Sequence, residues 1–189
     1  GNGENEDERG VLATYASLGK KNSLPFWLGE TGAKAMHGMT GRRWQAEQVA
    51  KIVAWVNSRS DYLGLAFCIG HEYDLAYGRV WDYSMGHKPG EAALYTASAL
   101  IDGLPYKAYD AKDATVQAAY FGKTLMLWRT DEAAVNWRLQ LDPSIAWMIV
   151  DVVGQAQALA VDSLGNANIP ISSSPVYVLS KASYSRLTR

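Results

Sequence analysis

The chain has 189 residues, of which 48% are hydrophobic and 20% are charged, a composition typical of globular domains. Its net charge of −1 gives no electrostatic reason to expect nucleic acid or an anionic membrane surface as a partner. A single cysteine excludes an intramolecular disulfide and a multi-thiolate zinc site, and no apolar run in the sequence has the length of a membrane-spanning helix.

The first half of the chain alternates helix-like and strand-like patterns. Two continuous apolar runs have the length and the bounding residues of strands that are buried on both faces. The predicted elements are a helix over 6–20, a strand over 24–30, a loop over 33–41 with Thr40 as a cap for the next helix, a helix over 43–58 and a strand over 62–70. This order of strand, helix and strand predicts a right-handed parallel crossover.

The first of these strands ends in a carboxylate. Glu30 follows the apolar residues that begin at Leu24 and stands just before a break at Gly32. A buried strand normally excludes an unpaired carboxylate, and α/β barrel enzymes place their catalytic groups at the C-terminal ends of parallel strands. The position predicts a catalytic role for Glu30. The alternative is a carboxylate that caps a helix or forms a salt bridge at a helix start.

The second half of the chain has a different pattern. After an irregular loop over 71–89, a helix is predicted over 91–102 and a turn over 104–107. Short alternating runs separated by turn residues are typical of an antiparallel sandwich. The predicted strands cover 116–121, 125–129, 134–139, 145–151 and 175–179. Trp128, Trp137 and Trp147 stand among apolar neighbours on these strands, which favours core positions over exposed sugar platforms.

One motif resembles a known group of enzymes. The pattern Pro-x-Trp-x-x-Glu-Thr-Gly over 25–32 resembles the seventh-strand motif of the clan A retaining glycoside hydrolases. The catalytic domain of that group is a (β/α)8 barrel. The order of elements resembles the β-xylosidase and α-iduronidase kind, in which the last barrel elements precede a β-sandwich. The patterns Asp-x-x-Gly over 151–154 and Pro-x-Tyr-Val over 175–178 resemble the closing strands of that sandwich.

The resemblance implies a fold and a division into domains. Residues 1–107 would form the last strands and helices of a (β/α)8 TIM barrel, an α/β part, and residues 108–189 would form an all-β antiparallel sandwich. A complete barrel needs about 250 residues, so we expect the chain to be the C-terminal part of a longer glycoside hydrolase. The alternative is a small complete α+β protein whose short sheet carries a Glu-Thr-Gly turn.

The resemblance also assigns catalytic roles. It makes Glu30 the nucleophile, and it places the acid/base on a glutamate that follows an asparagine at the end of the fourth barrel strand. The Asn-Glu pair at 5–6 lies in an acidic leader instead. Retaining hydrolysis needs two carboxyl groups about 5–5.5 Å apart. We therefore expect the acid/base on a part of the enzyme outside this chain, and an isolated chain that is inactive.

Further residues are expected to surround the sugar. The predicted substrate-binding residues are Trp27, His37, His71, Glu72, Tyr73 and Trp81. Residues 71–73 follow the second strand, where a barrel carries a substrate-lining loop, and Glu72 could act there as a second carboxylate. The alternatives are a surface loop with local charge pairs for 71–73 and packing on the barrel rim for Trp81. Basic residues within 34–43 could meet an acidic sugar, or they could cap helices and face solvent.

No metal site is predicted, because the three histidines lie on separate segments without metal-ligand spacing. No cofactor is predicted either, since the sequence has no phosphate loop and no dinucleotide fingerprint. The expected partners are a carbohydrate substrate and, if the barrel is completed in trans, the N-terminal part of the same enzyme as a separate chain. Nucleic acid and membrane insertion are not expected. The resemblance implies an extracellular or cell-envelope location. The alternative function is a non-catalytic carbohydrate-binding or structural protein.

Overall fold

The computed structural model describes residues 17–18, 21–22, 26–31, 38–59, 62–67, 81–82 and 86–187. Side chains are described for 17–18, 21–22, 41–59 and 88–186, and elsewhere the description concerns the backbone alone. Most of the predicted helix over 6–20 lies outside the described residues.

The first described unit consists of two parallel strands joined by a helix. Strand β1 (Phe26–Thr31), helix α1 (Gly38–Asn57) and strand β2 (Tyr62–Phe67) follow one another, and β1 pairs with β2 in parallel. Both predicted strands and their parallel pairing are confirmed. The predicted loop over 33–41 is wrong in part, because residues 38–41 are helical and Thr40 lies inside the first turn rather than at the cap. Glycine has low helix propensity, but burial of the start of α1 at Gly41 overrides that local signal.

A short hairpin and a second helix follow. Strand β3 (Trp81–Asp82) pairs with strand β4 (Gly86–His87) in antiparallel fashion, and helix α2 (Pro89–Ile101) begins two residues later. A proline at the first helical position loses no hydrogen bond, since that N–H has no partner within the helix. The helix predicted over 91–102 is confirmed, with ends that differ by one or two residues. Helix α2 packs against α1.

The second half of the chain is built of eight strands and one short helix. They are β5 (Tyr106–Ala108), β6 (Val116–Phe121), β7 (Thr124–Arg129), β8 (Val135–Gln140), β9 (Trp147–Val150), β10 (Ala156–Leu159), β11 (Asn166–Ile171), β12 (Val176–Ser180) and α3 (Lys181–Leu187). Six of the strands form one antiparallel sheet in the order β10-β9-β12-β7-β6-β5. Strands β8 and β11 pair only with each other among the described residues, in an antiparallel ladder.

The strand predictions for this half are mostly confirmed. Strands β6, β7, β8, β9 and β12 lie where alternating runs predict them. The predicted turn over 104–107 is wrong in part, because residues 106–108 form β5 and pair with β6. A cross-strand aromatic contact stabilises this pairing: the rings of Tyr106 and Phe121 have centroids 5.7 Å apart, and such pairs stabilise sheets. Strand β10 and helix α3 were not predicted.

The six-stranded sheet is covered on both faces. Met126 of β7 faces a core that it shares with α1 and α2, here called the helix core, whose members include Val49, Leu100 and Tyr177. Its neighbour Leu127 faces a second core shared with β8 and β11, here called the ladder core. Successive side chains of a strand point to opposite faces, so β7 is buried on both sides.

The molecule is therefore a mixed fold of helices and antiparallel sheet. The expected sandwich is only partly seen, because one face of the sheet packs on the two-stranded ladder while the other packs on helices. Trp128 packs against the helix core, and Trp137 and Trp147 pack against the ladder core. Each is half-buried, so the predicted core positions of these three residues are confirmed in part. Within the described part of the chain, no helix combines the length and apolar character needed to cross a membrane.

Candidate active site

Glu30 is the penultimate residue of strand β1. Because β1 and β2 run in parallel, their carboxyl ends at Thr31 and Phe67 lie side by side at one edge of the pair. In parallel sheets of α/β enzymes this edge carries the binding and catalytic groups. The backbone of Glu30 thus occupies the position that the sequence pattern predicts for a catalytic carboxylate.

The pairing of β1 with β2 changes register twice, first between Phe26 and Trp27 and again at Glu30. The pairs Leu28–Leu65 and Thr31–Phe67 enclose two residues of β1, Gly29 and Glu30, against one residue of β2, Ala66. An extra residue in one strand bends that strand and redirects a side chain, and such irregularities are frequent next to active sites. The local backbone at Glu30 is therefore not that of a regular strand interior.

The other predicted site residues fall into three groups. Trp27 lies on β1 opposite Gly64 of β2, so it shares a strand with Glu30. Trp81 lies on β3 opposite His87 of β4, in the hairpin that precedes α2. The remaining residues, which lie outside the described part of the chain, are His37, His71, Glu72 and Tyr73.

The basic segment within 34–43 is described in part. The Nε atom of Arg43 donates a hydrogen bond of 2.9 Å to the carboxylate of Glu47, one helical turn further along α1. Arg43 is exposed, whereas the Glu47 side chain is buried. This contact favours a helix-stabilising role for Arg43 over recognition of an acidic sugar.

Two buried charged residues lie where the β3–β4 hairpin meets α2, and neither was predicted from the sequence. Lys88 directly follows β4 and is 5% exposed, and Glu91 in the first turn of α2 is 7% exposed. The N–H of Glu91 donates to the carbonyl oxygen of Lys88 at 2.9 Å, and an acidic group suits the positive end of a helix dipole. Both residues have interaction partners. The Lys-Pro-Gly-Glu sequence over 88–91 signals a helix start but not the burial of its two charges.

The carboxylates whose pKa is clearly shifted lie in the sheet half of the described chain. Hydrogen bonds from nearby side chains and N–H groups lower the pKa of these groups, which are Asp110, Asp113, Asp131, Asp142 and Asp162. Most of them cap turns, so their shifts reflect local structure. Among the residues that the structure describes, no group of three or more His, Cys, Asp or Glu side chains could hold a metal ion.

Several solved structures resemble this chain. A family 39 glycoside hydrolase from Bacteroides cellulosilyticus WH2 superposes with a TM-score of 0.69 at 17% identity, covering 84% of this chain and 34% of the hydrolase. The family 30 xylanase C of Talaromyces cellulolyticus gives 0.53 at 11% identity, over 84% and 41% of the two chains. A family 30 endoxylanase from Clostridium papyrosolvens C71 gives 0.50 at 13% identity, over 87% and 44%.

The chain shares its fold with part of these glycoside hydrolases. The match covers 34% to 44% of the length of these three hydrolases. No family model matches the sequence, and no curated protein matches it. At such low identity the likeness concerns the fold, and function must be argued from the site.

Proposed function

We propose that this chain is the C-terminal part of a retaining glycoside hydrolase in which Glu30 is the nucleophile. The observation that carries the proposal is the position of Glu30, at the carboxyl end of a parallel strand and at a shift in strand register. The fold shared with family 39 and family 30 glycoside hydrolases supports it. The parallel pair β1–β2 would be the last two strands of a TIM barrel, and the antiparallel half would be its accessory sandwich.

The chemistry that we propose has two steps. Glu30 attacks the anomeric carbon and forms a glycosyl-enzyme while an acid protonates the leaving oxygen. The same acid group, now a base, activates the water that releases the sugar. In the proposed assembly this acid/base belongs to the N-terminal part of the enzyme, in the same polypeptide or in a separate chain. His71, Tyr73 and the aromatic rings of Trp27 and Trp81 would shape the sugar site.

The substrate would be an oligosaccharide or polysaccharide with β-linked units. Two of the structural neighbours are named as xylanases, so a β-linked xylan is the first substrate to test. By the resemblance of its sequence motif to the clan A glycoside hydrolases, the enzyme would act in the extracellular space or the cell envelope. No cofactor takes part in the proposed reaction.

The alternative, a carbohydrate-binding module that uses aromatic platforms, has less support. Such a module would present a row of exposed aromatic rings on its sheet. The tryptophans of the described sheet half, Trp128, Trp137 and Trp147, are instead half-buried against the two cores.

The test is hydrolysis of xylan by the enzyme expressed from the complete reading frame that contains this chain. Glu30→Gln should lower kcat by roughly 10³-fold or more, because the amide cannot form the glycosyl-enzyme. Glu30→Ala should recover turnover when azide is added, since the small anion can enter the vacated space and attack the same carbon.

A matched control is Glu132→Gln. Glu132 is an exposed carboxylate in the turn that follows β7, so its removal should leave kcat unchanged. Unaltered hydrolysis in Glu30→Gln, or no recovery of turnover in Glu30→Ala when azide is added, would contradict the proposed role.

A further inference from the structure

A polar groove lies on the sheet half, on chain positions well separated from those of Glu30. It has a volume of about 530 Å³ and is lined by the end of β10, the turn that follows it, and the β8–β11 ladder. Clefts for small ligands span about 300–1,000 Å³. The polar lining residues are Arg138, Asp162, Asn166 and Asn168, and Leu159 and Val161 contribute apolar surface.

A hydrogen-bond chain holds the centre of the groove in place. The Nε atom of Arg138 donates to Oδ1 of Asn166 at 3.0 Å, and the amide of Asn166 donates to Oδ2 of Asp162 at 2.9 Å. Oδ1 of Asp162 also accepts the backbone N–H groups of Leu164 and Asn166, each within 2.9 Å. The guanidinium, amide and carboxylate are thus oriented before any ligand arrives, which reduces the entropy cost of binding.

Donors and acceptors remain open towards the groove. Arg138 uses its Nε–H for Asn166, and no described contact engages its two terminal nitrogens. The amide of Asn168, which stands opposite Arg138 in the ladder, has no described hydrogen bond either. A guanidinium fork and an amide on neighbouring strands can bind adjacent hydroxyl groups, because the two planar groups offer several donors and one acceptor in fixed geometry.

The charges of the groove favour a neutral ligand. The positive charge of Arg138 is balanced by the carboxylate of Asp162 in the same lining. Hydrogen bonds from the Asn166 side chain and backbone lower the pKa of Asp162, so this carboxylate stays ionised at neutral pH. An anionic sugar would therefore meet one repulsive charge for each attractive one.

We infer that this groove is an accessory binding site for a neutral oligosaccharide, with Arg138 and Asn168 holding the sugar hydroxyls and Leu159 and Val161 meeting the apolar face of a sugar ring. The inference rests on the proposed function in that the ligand would be a segment of the same polysaccharide. The lining contains no aromatic ring, so binding depends on hydrogen bonds and should be weak, with a Kd on the order of 1 mM.

The test uses the 189-residue chain labelled with ¹⁵N and titrated with xylohexaose, cellohexaose and tri-galacturonate, followed by NMR. We expect amide shifts over residues 159–168 with a neutral hexaose, and a Kd at least ten times higher in the Arg138→Ala, Asn168→Ala double variant. Arg186→Ala is the matched control, because Arg186 is also exposed and also makes one hydrogen bond through Nε; its Kd should be unchanged.

Three results would overturn the inference. They are no shifts over 159–168 with either neutral hexaose, an unchanged Kd in the double variant, and tighter binding of tri-galacturonate than of the neutral sugars. Failure here is separable from failure of the proposed function. The groove is measured by binding to the chain alone, whereas the role of Glu30 is measured by hydrolysis, and Glu30→Gln should leave groove binding intact.

Discussion

Arg129 and Asp131 form a two-point ion pair at the end of strand β7. Nε of Arg129 donates to one carboxylate oxygen at 2.6 Å, and one terminal nitrogen donates to the other at 2.7 Å. The Arg129 side chain is only 10% exposed, and Asp113 lies 3.8 Å from its remaining terminal nitrogen. A bidentate geometry of this kind makes the pair stronger and more specific than an ordinary surface salt bridge.

Replacing Asp131 by asparagine should destabilise the sheet half. The change leaves the buried guanidinium with one distant carboxylate, so we expect a melting temperature lower by a few degrees at pH 7. The hydrogen bond from Arg129 lowers the pKa of Asp131. The ionised carboxylate therefore stabilises the fold at pH values above its pKa in the unfolded state, about 3.9. This contribution is lost as the pH falls through the lower pKa that the group has in the folded state.

The difference in melting temperature between wild type and Asp131→Asn should therefore have its full size above pH 5 and should shrink as the pH falls below about 4. Scanning calorimetry from pH 3 to pH 7 measures this. Glu132→Gln, which changes the neighbouring exposed carboxylate, should show no gap at any pH. A gap that persists unchanged at pH 3 would contradict the ion-pair interpretation.

Gly154 occupies a position that other residues cannot adopt without strain. Its φ is +90°, and a Cβ atom there would lie 2.7 Å from Oγ1 of Thr96 on helix α2. The preceding turn is fixed by Asp151, whose carboxylate accepts the N–H groups of Val153 and Gln155. This geometry explains why the sequence has an Asp-x-x-Gly pattern at 151–154.

Gly154→Ala should lower the free energy of unfolding by about 1–3 kcal/mol, since it adds a left-handed backbone penalty and a steric clash. Gly103→Ala separates the two causes, because Gly103 has φ of +66° and open space around it. Denaturant unfolding should show a larger decrease in the free energy of unfolding for Gly154→Ala than for Gly103→Ala. Adding Thr96→Ala to Gly154→Ala should restore part of the lost free energy. Equal losses at the two glycines would show that Thr96 plays no part.

Tyr177 buries its hydroxyl group in the helix core. The residue is 0% exposed, no hydrogen-bond partner reaches its hydroxyl within the described structure, and burial raises the pKa of its phenol. Burying an unsatisfied polar group costs free energy. Tyr177→Phe should therefore keep or increase the free energy of unfolding, by up to about 1 kcal/mol.

Urea unfolding of Tyr177→Phe, compared with Tyr106→Phe at an exposed position of β5, measures this effect. Tyr106→Phe should be neutral. If Tyr177→Phe instead lowered the free energy of unfolding by more than about 1 kcal/mol, the Tyr177 hydroxyl would have to make a hydrogen bond that stabilises the fold.

The elements of this fold could be predicted where local pattern and tertiary packing agree. Strand β7 lies where the sequence predicts a strand, and it is apolar on both faces because its side chains alternate between the helix core and the ladder core. Val49, Ile52, Val53 and Val56 recur at helical spacing, so the sequence alone predicts helix α1. Strand β10 was not predicted, since its Ala-Gln-Ala-Leu sequence has low strand propensity and forms by pairing with β9.

The candidate site could be predicted only in part. The motif around Glu30 marks a carboxylate at a strand end, and the described backbone agrees with that position. The register shift at Gly29 and Glu30 has no sequence signal, because it depends on how β2 pairs with β1. The burial of Lys88 and Glu91 was also not predictable, since lysine and glutamate usually lie at the surface and their burial here depends on the tertiary structure.

The measurement that tests the central claim most directly is covalent labelling of the nucleophile. A 2-deoxy-2-fluoro-β-xyloside with a dinitrophenyl leaving group needs no acid to depart, so it tests attack by the carboxylate alone. We predict that, after incubation with the enzyme and proteolysis, mass spectrometry finds one added fluoroxylosyl group on the peptide that contains Glu30, and none in Glu30→Gln. A label on another carboxylate such as Glu72, or a label that persists in Glu30→Gln, would contradict the account.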